Sequence, residues 1–124
     1  MKPNSKFNID NKTIGKDQPT YFIADIAANH DGDISRAKEL IYLAAEAGAD
    51  AAKFQHFQAE TIVSDYGFKS LGGQQSHQSS WKKSVFDVYK DASVNLDWTD
   101  TLVETCKDAG ISFFAIPYSL EVIE

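Results

Sequence analysis

Tyr21-Phe22-Ile23-Ala24-Asp25-Ile26-Ala27-Ala28-Asn29-His30-Asp31-Gly32-Asp33 decides how this chain is read. From Tyr21 to Ala27 every residue but one is apolar or aromatic, and a polar loop around a single glycine follows. An apolar run that ends in such a loop reads as a buried parallel strand that delivers its chemistry at its C-terminal end. Asp25 is the exception inside the run. A carboxylate in a buried strand costs several kcal/mol unless it is paired or hydrogen-bonded. Asp25 therefore marks a functional site, a satisfied core acid or an early end of the strand.

Outward from this stretch the pattern repeats. Asp33 is a good N-cap, and Ala37, Leu40, Ile41, Ala44 and Gly48 follow at helical spacing, with Gly48 as the stop. Ala51 to Gln55 reads as a second buried strand, and it too carries one charge, Lys53, which belongs to a site or snorkels from a strand end. Thr61 to Leu96 reads as a long loop holding one amphipathic helix, carried by Trp81, Val85, Val88, Tyr89 and Ala92. His77, in the polar part of that loop, reads as a solvated histidine. Asp97 is expected to cap a further helix whose buried stripe is Leu102, Val103, Cys106 and Ala109, with Gly110 ending it. Ile111 to Ile116 is a third strand, stopped by Pro117, and Tyr118 to Glu124 could begin another helix. Upstream, Lys6 to Ile14 alternates like a small hairpin turning at Asp10-Asn11.

The order strand, helix, strand, long loop, helix, strand implies an α/β fold with a parallel sheet. It fits a doubly wound sheet or the opening of a (β/α)8 barrel. A whole barrel needs about twice the 124 residues present.

Composition narrows the function. A net charge of −6 argues against nonspecific binding of nucleic acid or anionic membrane. No apolar run reaches the length of a membrane span. Residues 1–19 lack the apolar core of a secretory signal, so the cytoplasm is the expected compartment. The lone Cys106 excludes an intrachain disulfide and reads as a small core residue.

Period-two alternation puts Asp25 on one face with Ile23 and Ala27, and Lys53 on one face with Ala51 and Gln55. If those faces look into one site, Asp25, Lys53 and Gln55 form a polar floor suited to an anionic or polyhydroxylated substrate. The lysine can pair with a carboxylate or phosphate. The aspartate can orient a hydroxyl or a metal-bound water. Asn29-His30-Asp31-Gly32-Asp33 reads either as a metal-ligand cluster or as a βα turn in which His30 hydrogen-bonds locally. No glycine pattern matches a dinucleotide fingerprint or a P-loop.

Phe22 to Asp33, then Ala47-Gly48-Ala49-Asp50-Ala51-Ala52-Lys53-Phe54-Gln55, then Ala109 to Ser119, together resemble the opening of the sialic acid synthase family. That family comprises the N-acetylneuraminate synthases and their legionaminic and pseudaminic acid relatives. The resemblance runs over essentially all of the chain but only about the first third of a family member. It implies the N-terminal portion of a TIM (β/α)8 barrel, preceded by the small β-hairpin. Residues 1–124 would then be one partial barrel domain ending after its third strand, inactive by itself.

The resemblance further implies condensation of phosphoenolpyruvate with an N-acetylated hexosamine, N-acetylmannosamine or a relative. The product is a nine-carbon 2-keto sugar acid, made in carbohydrate biosynthesis. By resemblance, Asp25, Lys53 and Gln55 are catalytic: Lys53 contacts phosphoenolpyruvate and Gln55 lines the sugar and metal side. Asn29, His30 and the aromatic Tyr118 join them in binding substrate. A divalent metal, manganese or magnesium, is implied with ligands beyond residue 124, as is a homodimer at full length. Two positions depart from the family pattern: Asp25 stands where glutamate is usual, and Ile116 where a small hydroxyl residue often precedes the proline. The residues read alone also admit another TIM-barrel aldolase, a metal-dependent hydrolase or a catalytically inert fragment.

Overall fold

The computed structural model describes residues 5–70, 82–120 and 123. Its first element is the expected hairpin. Strands β1 (Lys6–Ile9) and β2 (Lys12–Gly15) pair antiparallel, with Phe7 opposite Ile14 and Asn8 opposite Thr13. Asp10 turns the chain at φ 49°, a left-handed conformation that aspartate tolerates better than most residues.

The main sheet is three strands, β3 (Ile23–Ala27), β4 (Ala51–His56) and β5 (Ser112–Pro117), parallel and adjacent in chain order. Helix α1 (Ile34–Glu46) connects the first two, and its start is set locally. The Asp33 carboxylate accepts hydrogen bonds from the amides of Ser35 and Arg36 at 2.8 and 3.4 Å. Helix α5 (Thr99–Ala109) leads into β5, and Gly48 and Gly110 follow the two helices at φ 90° and 76°.

Alternation along β4 divides the sheet into two faces. Ala52 and Phe54 enter a core with Ile26, Ala37, Ile41, Leu102 and Cys106, which joins the sheet to α1 and α5. Ala51, Lys53 and Gln55 face the other way. Cys106 is the small core residue expected, and burial pushes its thiol up to about 11. It is therefore a poor nucleophile at neutral pH.

Three local expectations are corrected. Asp97 does not cap α5. It lies in a 3-10 turn, Leu96–Trp98, and donates its amide to the side-chain oxygen of Asn95 at 3.0 Å. Asn95 caps that tight turn, through which the chain enters α5, so α5 itself starts after Trp98 with no side-chain cap. The buried stripe of α5 is Leu102, Thr105 and Cys106, with Val103 and Ala109 half-buried. Thr105 is tolerated there because its hydroxyl donates to the Thr101 carbonyl at 2.7 Å. The long connection holds α4 (Val85–Ala92) as expected, and also two short helices, α2 (Ala59–Ile62) and α3 (Asp65–Ser70). Elements of four and six residues are too short to show a helical period. Trp81, His77 and most of the stretch after Leu120 lie outside the described residues.

Asp50, which alone reads as part of a turn, ties the N-terminal ends of the strands together. Its carboxylate accepts from the Phe22 amide at 2.7 Å and pairs with Lys12 of the hairpin. Its carbonyl accepts from the Ser112 amide at 2.9 Å, and the Ser112 hydroxyl donates to Asp10. The Lys12 ammonium and the Phe22 amide hold the Asp50 carboxyl below the usual carboxylate range. The hairpin is thus fastened at one end of the sheet. The C-terminal strand ends, where parallel α/β folds carry their chemistry, lie at the other.

Candidate active site at the strand ends

Strand register brings the charged residues together. Asp25 of β3 is aligned with Lys53 of β4, and Lys53 with Phe114 of β5. Lys53 Nζ lies 2.9 Å from Asp25 Oδ2. One step nearer the C-terminal ends, Gln55 is aligned with Ile116. The floor of Asp25, Lys53 and Gln55 is therefore assembled, and Phe114 and Ile116 extend it with apolar groups.

Within residues 1–124 the Asp25 side chain is 52% exposed and that of Lys53 28%. The same alternation that sends Ile26 into the core turns Asp25 to the face the helices do not cover. Ala27 does not continue the row of Ile23 and Asp25. A bulge after Asp25 aligns Ala27 with Phe54, and Ala27 adopts φ 53°. A left-handed alanine costs about 1–2 kcal/mol, which the sheet and the turn beyond it hold in place.

The segment from Asn29 to Asp33 is a βα turn. The Asn29 side chain donates to the Ile26 carbonyl at 3.0 Å, and the Asn29 carbonyl accepts from Arg36 Nε at 2.9 Å. Arg36 also pairs with Asp31 at 3.1 Å. Gly32, at φ 72°, packs against α4 so closely that an added Cβ would stand 3.0 Å from the Asp91 carbonyl oxygen. Asn29 remains exposed at the strand end.

His30 goes elsewhere. Its imidazole is fully buried and meets Trp98 edge-on, with ring centroids 5.6 Å apart. Its Nδ1 accepts from the Gly32 amide at 3.1 Å, so the neutral ring carries its proton on Nε2. Here His30 shapes the loop and does not reach the floor beside Lys53. Tyr118 stands at the rim, 43% exposed, its amide donating to the His56 carbonyl at 3.2 Å. Its ring packs edge-on against Phe57, which also meets Tyr89 of α4. The sequence reading placed Tyr118 at the site, but its packing partner Phe57, an aromatic directly after β4, escaped it.

Among the described residues no three His, Cys, Asp or Glu side chains gather as a metal-binding set. The one carboxylate on the floor, Asp25, already faces an ammonium. These residues alone do not fit a divalent-cation site.

Burial lowers the pKa of His30, and the nearby Asp31 carboxylate opposes that shift only in part. Burial also lowers that of His56, and His30 adds to the effect. Both rings fold neutral and bind protons more weakly than in the unfolded chain, whose value is near 6.5. Their contribution to stability is therefore complete above that value. It is lost as the pH falls from there toward the folded-state values. Melting temperatures measured between about pH 8 and pH 5 are expected to decline with acidity, and His56→Gln to flatten the decline. An identical slope in the variant would remove His56 from the effect.

The NeuB family model matches residues 40–124, which include Lys53, Gln55 and Tyr118. The spore coat polysaccharide biosynthesis protein SpsE of Bacillus subtilis is 38% identical over 111 residues, covering 88% of this chain and 28% of that protein. The N,N'-diacetyllegionaminic acid synthase of Legionella pneumophila is 32% identical over 124 residues, covering all of this chain and 34% of the synthase. The chain thus spans about a third of these relatives' length. An N-acetylneuraminic acid (sialic acid) synthetase from Leptospira borgpetersenii, solved in complex with citrate, superimposes with a TM-score of 0.71 at 26% identity. The match covers 95% of this chain and 36% of that one. The fold is the N-terminal portion of that synthetase's architecture, as expected for a barrel preceded by a hairpin.

Proposed function

This chain belongs to the NeuB family, and from that membership we propose that it supplies the first strands of a synthase making sialic acid or a related nonulosonic acid. The proposed reaction condenses phosphoenolpyruvate and one water with an N-acetylated hexosamine, N-acetylmannosamine or a relative, releasing phosphate and a nine-carbon 2-keto sugar acid. The relatives' names support the product class. The observation that carries the reading is the Lys53 ammonium, held midway along β4 beside Asp25, with Gln55 on the same face one step nearer the C-terminal strand ends.

Each role follows from what the group can do. Lys53 binds the carboxylate or phosphate of phosphoenolpyruvate through charge-assisted hydrogen bonds. Gln55 offers both a donor and an acceptor to the sugar's hydroxyl or acetamido groups. Asn29 and Tyr118 border the floor and contact substrate from its rim, while His30 keeps the Asn29 turn in shape from beneath. Manganese or magnesium belongs to the reading as well, with ligands drawn from outside these residues. So do a homodimer of the complete protein and a cytoplasmic location.

The test is phosphate release by the complete protein carrying this span, with phosphoenolpyruvate and a panel of N-acetylated hexosamines. Release is expected only when a suitable amino sugar is present. Sugar-independent release, or none with any amino sugar, would overturn the reading. Cleavage of a 2-keto sugar acid without phosphate chemistry would favour an aldolase.

A further inference from the structure

We infer that Asp25 acts through Lys53: its carboxylate positions the ammonium on the floor and competes with the anionic substrate for it. The inference rests on the proposed binding of phosphoenolpyruvate at Lys53. Asp25 and Lys53 are aligned partners on adjacent parallel strands, so both side chains leave the same face at the same height. Their charged atoms are 2.9 Å apart. Aspartate has a short stem, so β3 largely dictates where its carboxylate sits. Lysine has a long, flexible one, whose freedom the pairing restricts. Among the described residues the aligned neighbours on this face carry no charge: Phe114 completes the row, and Gln55 and Ile116 form the next.

An incoming phosphate or carboxylate therefore meets an ammonium that Asp25 already neutralises. The arriving anion must share or take over the ammonium's hydrogens while Asp25 repels it. The arrangement lowers affinity for the anion in exchange for a fixed ammonium. It also works in reverse: once inorganic phosphate forms, Asp25 recaptures Lys53 and favours release. Asp25 is on this account a positioning residue, and its effect is read on anions, not on the sugar.

The experiment compares the complete protein with its Asp25→Asn, Asp25→Glu, Lys53→Met and Asp25→Asn/Lys53→Met variants. The readouts are the Michaelis constants for phosphoenolpyruvate and sugar, turnover, and inhibition by inorganic phosphate. Removing a like charge beside the bound anion should tighten both phosphoenolpyruvate and phosphate by about three- to tenfold in Asp25→Asn. Turnover should fall as phosphate leaves more slowly. Asp25→Glu restores the charge and should bring both anions back toward the parent values. In the Lys53→Met background the effect of Asp25→Asn should largely vanish, the signature of two residues acting as one unit. Asp25→Ser offers a smaller neutral side chain for the same measurement should the asparagine variant fold poorly. Unchanged anion affinities with a weakened sugar would overturn the inference and place Asp25 on the sugar, leaving Lys53's role intact. Unchanged phosphoenolpyruvate affinity in Lys53→Met would overturn the site reading itself.

Discussion

Lys53→Ala in the complete protein is expected to raise the Michaelis constant for phosphoenolpyruvate roughly ten- to a hundredfold while leaving that for the sugar nearly unchanged. Removing a charged hydrogen-bond partner commonly costs about 1.5–3 kcal/mol, which gives that range. The structure adds a second contribution of the same sign. Without the ammonium, the carboxylate of Asp25 stands unpaired on the floor and repels the anion that Lys53 would have held. The fold should survive, because Lys53 leaves the face of β4 opposite the one that carries Ala52 and Phe54 into the core. Steady-state kinetics with each substrate varied in turn provide the check. Equal constants for wild type and variant would take Lys53 out of the binding site. A rise in the sugar constant alone would put it on the wrong substrate.

Phe54→Ala, one residue along the same strand, is expected to lose stability instead. Phe54 is fully buried and stacks against Phe113 with ring centroids 5.9 Å apart. It sits in the core cluster that joins β4 to α1 and α5. Truncating a buried phenylalanine typically costs about 3–5 kcal/mol, from lost transfer energy and the cavity left behind. Denaturant unfolding of the complete protein measures it, if that unfolding is reversible. A loss below about 1 kcal/mol would mean that the helix-facing side of β4 is not where the core lies. The contrast with Lys53 expresses the alternation of a strand. Neighbouring residues point to opposite faces, so one substitution is felt in binding and the next in folding.

These two faces were readable from the residues before any coordinates. Period two separates Lys53 and Gln55 from Ala52 and Phe54, and it does so within one strand, where nothing distant intervenes. The helix signals are equally local. Asp33 caps α1 with its own side chain, and glycine follows α1 and α5 at positive φ because a Cβ is disfavoured there. The parallel order of β3, β4 and β5 follows from connections long enough to cross over. The likeness of the three segments to sialic acid synthases rested on the same local motifs.

What the residues could not disclose depends on atoms far apart along the chain. Asp50 looks like a turn residue, yet its carboxylate joins partners 28 and 38 residues away. Asp25 lies in an apolar run, which does not show that its carboxylate meets the Lys53 ammonium of the next strand. The bulge at Ala27 could not be foreseen, because a shift in register is a property of two strands together. His30 stands within a polar loop in the sequence, but Trp98, at the start of a helix formed much later in the chain, gives it an apolar place to go. By itself, then, the sequence determined the three parallel strands, the start of α1, the glycine stops after α1 and α5 and the two faces of β4, since these follow from near-neighbour sterics and periodicity. Only the tertiary structure decided that Asp25 pairs with Lys53 and that His30 turns away from them, since both depend on strand register and on helix packing that brings distant residues into contact.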